Sequence, residues 1–415
     1  PDESDARLLE IARRCNGNGA CRKLKAGVMC PSFMATRDEL HSPRGRANAL
    51  RAALVGELQG EGGEDLDPVH ADLHAAMDLC VGCKGCVREC PTTVDVPRMK
   101  AELLQRWHEE RGVPLRTQLL GRWPELARWA ALAPRLANAA SARGTPWRAL
   151  LDRWLELDPE RTLPPLAPRT LRAALRRGGI DLPPRRHGAE PVVLFDDTFT
   201  HFHEPEVGLA AVQVLEAAGF AVTLPSQRVC CGRTYLSKGL LDPAREAARH
   251  AIEVLAPAAA DGLDIVGLEP SCILTFRDEI PTLLPDHPAA PIVARATKTL
   301  AEFLATRGDD LPLAPMPGHA LVHGHCHTKS LVGMDPTRAV LDGVPGLSYS
   351  VADTSCCGMA GSFGYEAEHV DVSRRIAETS FLPALAARPE ATLVLNGTSC
   401  RQQAEHMAGR HAVHL

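Results

Sequence analysis

Four cysteines lie within thirteen residues in the stretch LCVGCKGCVRECP, positions 79–91. They are Cys80, Cys83, Cys86 and Cys90. The spacing C-x2-C-x2-C-x3-C-P is typical of chains that bind an iron–sulfur cluster through cysteine thiolates. Two-residue spacers let the chain wrap a compact cluster, and Gly82 and Gly85 permit close approach of the backbone. Zinc is the alternative metal, but zinc sites rarely use three evenly spaced cysteines followed by Cys-Pro.

The cysteine before proline in this motif binds a second cluster, so the motif predicts a partner run. The segment CNGNGACRKLKAGVMCP, residues 15–31, supplies one. The predicted ligands of the first ferredoxin-type 4Fe-4S cluster are Cys30, Cys80, Cys83 and Cys86. Those of the second are Cys15, Cys21 and Cys90.

The second ferredoxin-type site has one thiolate fewer than the first. The motif expects a cysteine at position 18, where the chain has Asn18. The site is therefore predicted to hold either a four-iron cluster with a non-cysteine ligand or a three-iron cluster. The alternative is that this cluster is absent and that Cys15 and Cys21 are buried as small hydrophobic residues.

Two motifs of adjacent cysteines predict further metal sites in the C-terminal part. One set is Cys230, Cys231 and Cys272, and the other is Cys326, Cys356, Cys357 and Cys400. A glycine follows each adjacent pair, and the last cysteine of each set follows a serine. Adjacent cysteines are poor disulfide partners because the ring they would close is strained, whereas both can bind one iron–sulfur core. Four thiols suffice for a third 4Fe-4S cluster at the second set.

The first of these sets lacks a fourth cysteine, because the equivalent stretch reads FDDTFTHF. Its site is vacant, filled by zinc, or completed by a histidine such as His201 or His203. Three histidines alternate around Cys326, namely His323, His325 and His327. They either bind metal or tune a cluster through hydrogen bonds to sulfur, or they simply line the end of a strand.

The first predicted domain, residues 1–102, is helical and carries both ferredoxin-type sites. Thr36 and Glu39 have the spacing of a capping box, which predicts that a helix begins there. Four arginines in this stretch either offset the negative charge of an iron–sulfur core or form a solvated helix face. They are Arg37, Arg44, Arg46 and Arg51.

Residues 103–188 are predicted to form short helices separated by prolines. All five tryptophans lie here: Trp107, Trp123, Trp129, Trp147 and Trp154. Tryptophan fills cores in a chain that has few aromatic residues, and it is also enriched where protein surfaces meet. Trp123 and Trp129 belong to an arginine-rich amphipathic pattern, which leaves a docking or membrane-surface role open.

From residue 189 the pattern changes to alternating strands and helices. Six apolar runs predict buried strands: PVVLF, FAVTL, DIVGL, HALVHG, LSYSVAD and ATLVLNG. The similar order of motifs in residues 189–312 and 313–415 predicts two copies of one unit. The cysteines follow strand ends, where open α/β sheets bind ligands. The expected fold is α+β and α/β: a helical two-cluster ferredoxin-like domain followed by a duplicated α/β Cys-Cys-Gly domain.

The bulk properties exclude several classes of protein. A formal net charge of −5 argues against nucleic acid as a partner. No apolar run approaches the roughly 18 residues of a membrane span, and no charged-then-apolar leader opens the chain. Clustered cysteines in a chain of this length favour reduced thiols that hold metal, so we expect a cytoplasmic protein, with attachment to the inner face of the membrane left open.

These motifs resemble those of the Cys-Cys-Gly iron–sulfur proteins, which are related to heterodisulfide reductase. Three segments are similar in sequence to the C-terminal iron–sulfur half of FAD-linked D-2-hydroxyacid dehydrogenases. They are RCNGNGACRK, VMCPSFMATRDELHSPRGRANALR and HGHCH. Those enzymes oxidise D-lactate or D-2-hydroxyglutarate, and the glycolate oxidase iron–sulfur subunit is related to them. The resemblance extends over nearly the whole chain.

The resemblance implies an iron–sulfur module that relays electrons from an FAD-linked dehydrogenase to a downstream acceptor. FAD and the substrate site are expected on a missing domain or partner subunit, because the chain has no glycine-rich dinucleotide loop. The implied acceptor is an electron-transfer flavoprotein, a quinone or a cytochrome. The chain would then be the iron–sulfur part of an oxidoreductase.

Two alternatives remain: a catalytic subunit of the heterodisulfide reductase type, and a zinc-stabilised scaffold with electron transfer only in the ferredoxin part. Heterodisulfide reductase carries a further cysteine in a terminal C-x-x-C. Here Cys272 is followed by ILT and Cys400 by RQQ, so both lack that cysteine. This departure weakens the catalytic alternative.

Overall fold

The N-terminal part is a bundle of short helices around the first seven cysteines. The computed structural model describes residues 3–57, 71–178, 188–308 and 311–415. The helices are α1 (Glu3–Arg13), α2 (Pro31–Thr36), α3 (Pro43–Leu54), α4 (Ala71–Asp78), α5 (Gly85–Glu89) and α6 (Val96–Arg111). Leu8, Leu50, Met77, Met99 and Leu103 are fully buried between them. The apolar core thus holds the cysteine-bearing loops in place.

The predicted helix start at Thr36 is wrong. Thr36 ends α2, and α3 begins after Ser42, whose side chain accepts a hydrogen bond from the backbone of Gly45 at 2.9 Å. Glu39 instead accepts hydrogen bonds from the Ser42 hydroxyl and from Arg44. The serine before Pro43 is therefore the true cap, since proline suits the first helical position.

Short helices separated by prolines follow, as predicted. They are α7 (Leu115–Gly121), α8 (Trp123–Ala130), α9 (Pro134–Ser141), α10 (Pro146–Leu155) and α11 (Leu171–Arg177). A small core of Ala127, Leu166 and Phe202 packs α8 against the first α/β unit, together with hydrogen bonds such as that from Arg228 to the carbonyl of Pro124. No helix in the described ranges has the length and apolar character needed to cross a membrane.

The first Cys-Cys-Gly unit is a parallel four-stranded sheet in the order β2-β1-β3-β4. Its strands are β1 (Glu190–Phe195), β2 (Phe220–Thr223), β3 (Ile265–Gly267) and β4 (Thr297–Thr299). Its helices are α12 (Thr198–Phe202), α13 (Pro205–Ala217), α14 (Arg233–Ser237), α15 (Leu241–Ala260), α16 (Pro270–Ile273), α17 (Ile280–Leu283), α18 (Ala290–Ala296) and α19 (Leu300–Arg307). Separate apolar clusters cover the two faces of the sheet, as in other parallel sheets.

The second unit repeats this arrangement in the order β6-β5-β7-β8, again with every pair parallel. Its strands are β5 (Gly318–Val322), β6 (Leu347–Val351), β7 (Thr392–Val394) and β8 (Ala412–Val413). Its helices are α20 (Cys326–Leu331), α21 (Asp335–Asp342), α22 (Val370–Ile376), α23 (Leu382–Ala386) and α24 (Thr398–Ala408). The predicted combination of helices and parallel sheets is confirmed. The domain boundaries at 102, 188 and 312 stay predictions, and residues 179–187 and 309–310 near two of them lie outside the described ranges.

Candidate metal centres

The loop before helix α5 brings the first predicted set of thiols together. Cys80 and Cys83 precede α5, Cys86 lies in its first turn, and Cys30 immediately precedes α2. Burial raises the pKa of Cys83 well above its usual value, and nearby charges on Cys30 and Cys86 raise it further. Burial does the same to the pKa of Cys86, with added effects from charges on Cys80 and Cys30. All four thiols therefore lie within interaction range of one another.

Backbone geometry explains why glycine occurs twice in this loop. Gly82 has φ 64°, in the left-handed region that favours glycine. At Gly85 a Cβ atom would lie 2.8 Å from the backbone nitrogen of Met29, too close for any other residue. The two cysteine runs can approach each other because Gly85 has no side chain.

A buried arginine faces this set. Arg46 is fully buried, and its Nη1 lies 3.8 Å from the sulfur of Cys30 while its Nε donates to the carbonyl of Ala76 at 2.7 Å. Its Nη2 is buried without a hydrogen-bond partner in the described structure. A buried cation beside several thiols fits an anionic iron–sulfur core, which would offer acceptors for that nitrogen. Of the four arginines considered from sequence, Arg37 and Arg51 are instead exposed.

The second predicted set packs on one apolar core. Burial raises the pKa of Cys21, and charges on Cys30 and Cys15 add to the effect, so Cys15 and Cys21 lie near each other and near the first set. Cys90 packs against the same apolar core and lies 3.3 Å from the hydroxyl of Thr92. Grouping of Cys90 with Cys15 and Cys21 as ligands of one cluster stays a prediction.

Asn18, at the position of the missing cysteine, takes part in a local turn. It is exposed, and its side-chain oxygen accepts a hydrogen bond from the backbone of Ala20 at 2.9 Å. Its side-chain nitrogen donates to Asn16. Because both polar atoms are engaged locally, this conformation favours a site with three thiolates over one that Asn18 completes.

The C-terminal set forms one continuous group of thiols. Cys326 begins α20, the adjacent pair Cys356 and Cys357 follows β6, and Cys400 lies in the first turn of α24. Hydrogen bonds link Cys326 to Cys356, Cys356 to Cys357, and Cys357 to Cys400. Bonds from both neighbours lower the pKa of Cys356 well below its usual value despite burial. Cys356 is therefore the thiol of the set that ionises most readily.

The glycine after each adjacent pair has the same role in both units. Gly232 and Gly358 have φ 84° and 92°, and each donates its backbone N–H to the first sulfur of its pair at 3.4 Å. A Cβ atom at Gly358 would lie 2.3 Å from the carbonyl oxygen of Ser373. These glycines let the chain turn sharply and direct an amide toward sulfur.

The three alternating histidines all stabilise the loop around Cys326. His323 Nδ1 lies 2.6 Å from the Thr354 hydroxyl, and His325 caps α20 by accepting a bond from the backbone of His327 at 3.2 Å. His327 Nε2 lies 2.9 Å from the carbonyl of Gly82. Burial lowers the pKa of all three, so they are neutral. His325 is close enough to Cys356 for their charges to interact.

The thiols of the first α/β unit also meet. Cys231 forms hydrogen bonds with both Cys230 and Cys272. The bond with Cys231 lowers the pKa of Cys272, but burial and the carboxylates of Asp197 and Glu269 outweigh it and leave that pKa raised, at about 11. This trio thus lies in more acidic surroundings than the C-terminal set.

The fold identifies the residue that replaces the fourth cysteine. Asp197 caps α12 after β1, as His325 caps α20 after β5. The residue after each cap is Thr198 in the first unit and Cys326 in the second, so Thr198 occupies the place of the fourth cysteine. Burial raises the pKa of Asp197 to about 7, and the charge of Glu269 contributes to the rise.

Of the two candidate histidines, His203 has both ring nitrogens engaged. His203 Nδ1 lies 2.9 Å from the carbonyl of Pro165, and its Nε2 accepts a bond from the indole of Trp123 at 3.2 Å. This leaves His203 without a free nitrogen for a metal ion. His201 is buried in α12 with its Nδ1 3.1 Å from Asp196, and its role at the first site stays a prediction.

The first ferredoxin-type set and the C-terminal set are adjacent. The charge on Cys356 raises the pKa of Cys83, and the charge on Cys83 raises that of Cys326. The loops are joined by two hydrogen bonds, one between His327 and the Gly82 carbonyl and one of 3.0 Å from the Ser330 hydroxyl to the Cys83 carbonyl. The two sets of thiols therefore share one buried interface.

A buried lysine that sequence reasoning missed stabilises the same loop. Lys84 lies between Cys83 and Gly85 with 2% of its side chain exposed. Its ammonium lies 2.7 Å from Asp278, 3.2 Å from Asp95 and 3.4 Å from Glu279. Burial alone would lower the pKa of Lys84, but these carboxylates raise it. Lysine is almost never buried unless it is paired, and two of its three partners, Asp278 and Glu279, are distant in sequence.

A cavity of about 410 Å³ lies between the N-terminal part and both α/β units. Cys80 lines it, together with Lys100, Glu366 and His369. Lys100 donates to the carbonyls of Asp78 and Cys80 at 2.6 and 3.1 Å. The cavity therefore borders the first ferredoxin-type set and not the C-terminal thiols.

Comparison with known proteins agrees with this arrangement. The sequence model of the 4Fe-4S dicluster domain family matches residues 11–94, which contain all seven N-terminal cysteines. The sequence model of the cysteine-rich domain family matches residues 194–277, which contain the first adjacent pair of cysteines and Cys272.

Three relatives illustrate the range of similar proteins. D-2-hydroxyglutarate dehydrogenase of Pseudomonas putida is 30% identical over 97% of this chain and 42% of the relative. An anaerobic glycerol-3-phosphate dehydrogenase subunit of Escherichia coli is 31% identical over 60% of this chain and 62% of the relative. Lactate utilization protein A of an Exiguobacterium species is 32% identical over 44% of this chain and 76% of the relative. The chain spans about two fifths of the length of the D-2-hydroxyglutarate dehydrogenases that it matches.

Proposed function

The chain belongs to the Cys-Cys-Gly family of iron–sulfur proteins, and we propose that it relays electrons within an FAD-linked oxidoreductase. When bound, iron–sulfur clusters accept and release electrons at potentials that hydrogen bonds to sulfur and burial adjust. This chain contributes grouped thiols, amides directed at sulfur and a dry interface between two of the groups. These are the contributions that such a relay needs from its protein.

The proximity of Cys83 to Cys326 and Cys356, close enough for their charges to interact, carries this proposal. The three thiols are buried or half-buried, and hydrogen bonds of His327 and Ser330 join the two loops that bear them. A metal site that only stabilised the fold would not need to adjoin a second one. Two adjacent sites are what stepwise passage of electrons through a protein requires.

We assign 4Fe-4S clusters to the first ferredoxin-type set and to the C-terminal set. Their ligands are Cys30, Cys80, Cys83 and Cys86, and Cys326, Cys356, Cys357 and Cys400, respectively. We assign a further cluster, with three thiolates, to Cys15, Cys21 and Cys90. We take the trio of Cys230, Cys231 and Cys272 as vacant or structural.

The electron donor that we propose is FAD on another part of the polypeptide or on a partner subunit. The proposed substrate is a D-2-hydroxyacid of the D-2-hydroxyglutarate, D-lactate or glycolate type. Similarity to a D-2-hydroxyglutarate dehydrogenase and to a lactate utilization protein supports this choice. An electron-transfer flavoprotein, a quinone or a cytochrome would accept the electrons. We place the reaction in the cytoplasm, where thiols stay reduced.

Metal analysis of anaerobically prepared protein tests the relay. We expect about eleven or twelve irons per chain, with matching sulfide, for two four-iron clusters and one further cluster. Fewer than four irons per chain would contradict the proposal. Cys83→Ser should remove one ferredoxin-type signal in electron paramagnetic resonance, whereas Val87→Ala in the adjoining helix α5 should remove none. Loss of every signal, or of none, in Cys83→Ser would contradict the ligand assignment.

Two observations weigh against the alternatives. In the described structure no three cysteine sulfurs lie within 4.8 Å of one another, whereas a tetrahedral zinc site with bonds of about 2.3 Å needs sulfurs roughly 3.8 Å apart. The wider spacing favours a cluster over zinc. For catalysis at the C-terminal set, a cavity should adjoin its thiols, but the described cavity of about 410 Å³ is lined by Cys80.

A further inference from the structure

The most exposed large apolar side chains of the described protein are concentrated in one short stretch. Five such side chains are more than 60% exposed, and all lie between residues 129 and 154. They are Trp129, Leu132, Leu136, Trp147 and Trp154. Isolated exposed apolar residues are normal, but the concentration of five in one stretch of helices indicates an interaction surface.

Helix α10 shows that this exposure is built into the fold. Trp147, Leu150, Leu151 and Trp154 recur at the spacing of one helix face, and all four are exposed. The opposite face contains Arg148, which is buried and bonds to Asp152 at 2.5 Å and to two backbone carbonyls. The helix therefore turns its polar side toward the protein and its apolar side toward the solvent.

The charged residues around this face have one predominant sign. Five exposed arginines have no ion-pair partner among the described residues: Arg122, Arg128, Arg135, Arg143 and Arg153. The two acidic residues of α8–α10, Glu125 and Asp152, are engaged by the Tyr235 hydroxyl and by Arg148. The stretch is thus cationic in a chain whose formal net charge is −5.

We propose that the exposed face of helices α8–α10 binds the surface of a membrane rich in anionic lipid. Tryptophan and leucine would enter the boundary between headgroups and acyl chains, and the arginines would lie at the phosphates. A protein partner would need an acidic surface matched to these five arginines, whereas anionic headgroups offer negative charge at every position. This inference does not rest on the proposed electron relay.

Sedimentation of the whole chain with lipid vesicles tests the proposal. We expect binding to vesicles of phosphatidylglycerol and phosphatidylcholine, weaker binding to phosphatidylcholine alone, and release by salt. The double variant Trp147→Ser/Trp154→Ser should bind at least roughly tenfold more weakly, because both side chains are lost from the interface. Its matched control is Ile292→Ser/Met316→Ser, which removes exposed apolar side chains elsewhere and should bind normally.

The arginines form the second arm of the experiment. Each Arg→Gln change at positions 135, 143 or 153 should weaken binding to anionic vesicles by roughly fivefold, at about 1 kcal/mol per charge near the surface. Iron content should stay unchanged in all these variants, so a failure here is distinct from a failure of the relay. No binding to anionic vesicles would overturn the proposal. Unchanged vesicle binding of the tryptophan variant would also overturn it. So would a tryptophan variant that still binds vesicles and loses only its association with a flavoprotein.

Discussion

The two Cys-Cys-Gly units share a fold but differ in the surroundings of their thiols. Both have four parallel strands in equivalent order and a glycine that directs its amide to sulfur. Only the second has a cysteine after the helix cap, because Cys326 takes the place of Thr198. Duplication thus preserved the fold in both units, while the complete set of four thiols occurs in one.

Electrostatics separates the units further. Lys329 lies near all four thiols of the second unit, where its charge favours thiolates. In the first unit the carboxylates of Asp197 and Glu269 raise the pKa of Cys272, although Arg228 lowers that of Cys230. An anionic cluster is therefore better compensated in the second unit than in the first.

The loop before the last cysteine has a large charged residue in the first unit and a glycine in the second. Glu269 of the first unit corresponds to Gly397 of the second, since each lies three residues before the last cysteine of its set. A Cβ atom at Gly397 would lie 2.3 Å from the ring of His325. Glu269 accepts a bond of 2.8 Å from the backbone of Thr398, so the first unit helps to position the second. The first unit thus supports the loop that bears the last cysteine of the second.

The largest expected effect follows from removing one thiol in each unit. Cys326→Ser should lower the iron content by one to about four per chain, because the three remaining thiolates either hold a three-iron cluster or lose the cluster altogether. Cys272→Ser, the matched change in the first unit, should leave the iron content unchanged. Anaerobic iron and sulfide analysis of both variants measures the difference. Equal iron loss in the two variants would show that both units hold clusters.

The units also contact the N-terminal part differently, and the first does so through Lys84. Lys84→Met should destabilise the protein by about 3–5 kcal/mol, because it leaves the carboxylate of Asp278 unpaired and removes a cation from Asp95 and from Glu279, which keeps its ion pair with Arg233. Urea unfolding of anaerobic protein measures this effect, with the exposed Lys25→Met as control. Adding Asp278→Asn should restore part of the loss. A Lys84→Met variant as stable as the wild type would mean that the carboxylates take up protons at little cost.

Much of the fold could be predicted because buried parallel strands are continuous apolar runs. All six predicted strands are present, whereas β4 and β8 were missed. Thr297–Thr299 and Ala412–Val413 are three and two residues long, too short to form a recognisable pattern. The helix start was wrongly predicted at Thr36 because Thr36 and Glu39 have the spacing of a capping box, whereas the helix is capped by Ser42.

The site was predictable only where ligands are close in sequence. Spacing grouped Cys80, Cys83 and Cys86, but their contact with the C-terminal thiols depends on how the domains pack. Likewise, a lysine between cysteines gives no sign that carboxylates almost 200 residues away will bury it. Long-range pairing of charges has no local pattern in the sequence.

The smallest predicted effect concerns the second unit's own contact with the N-terminal part. His369 Nε2 lies 2.6 Å from Asp78, and its Nδ1 lies 3.3 Å from Glu366. Burial alone would lower the pKa of His369, but these two carboxylates raise it above its usual value. The resulting stabilisation is complete below about pH 6.5, the pKa of an unfolded histidine, and is lost as the pH rises through the folded pKa. We therefore expect the wild type to lose more stability between pH 6 and pH 9 than His369→Gln does. Urea midpoints across this range measure the loss, and the exposed His250→Gln should follow the wild type.

If His369→Gln has the same pH profile as the wild type, the Asp78–His369 pair is not charged in the folded protein. The second unit would then be held to the N-terminal part by neutral hydrogen bonds such as that of Ser330.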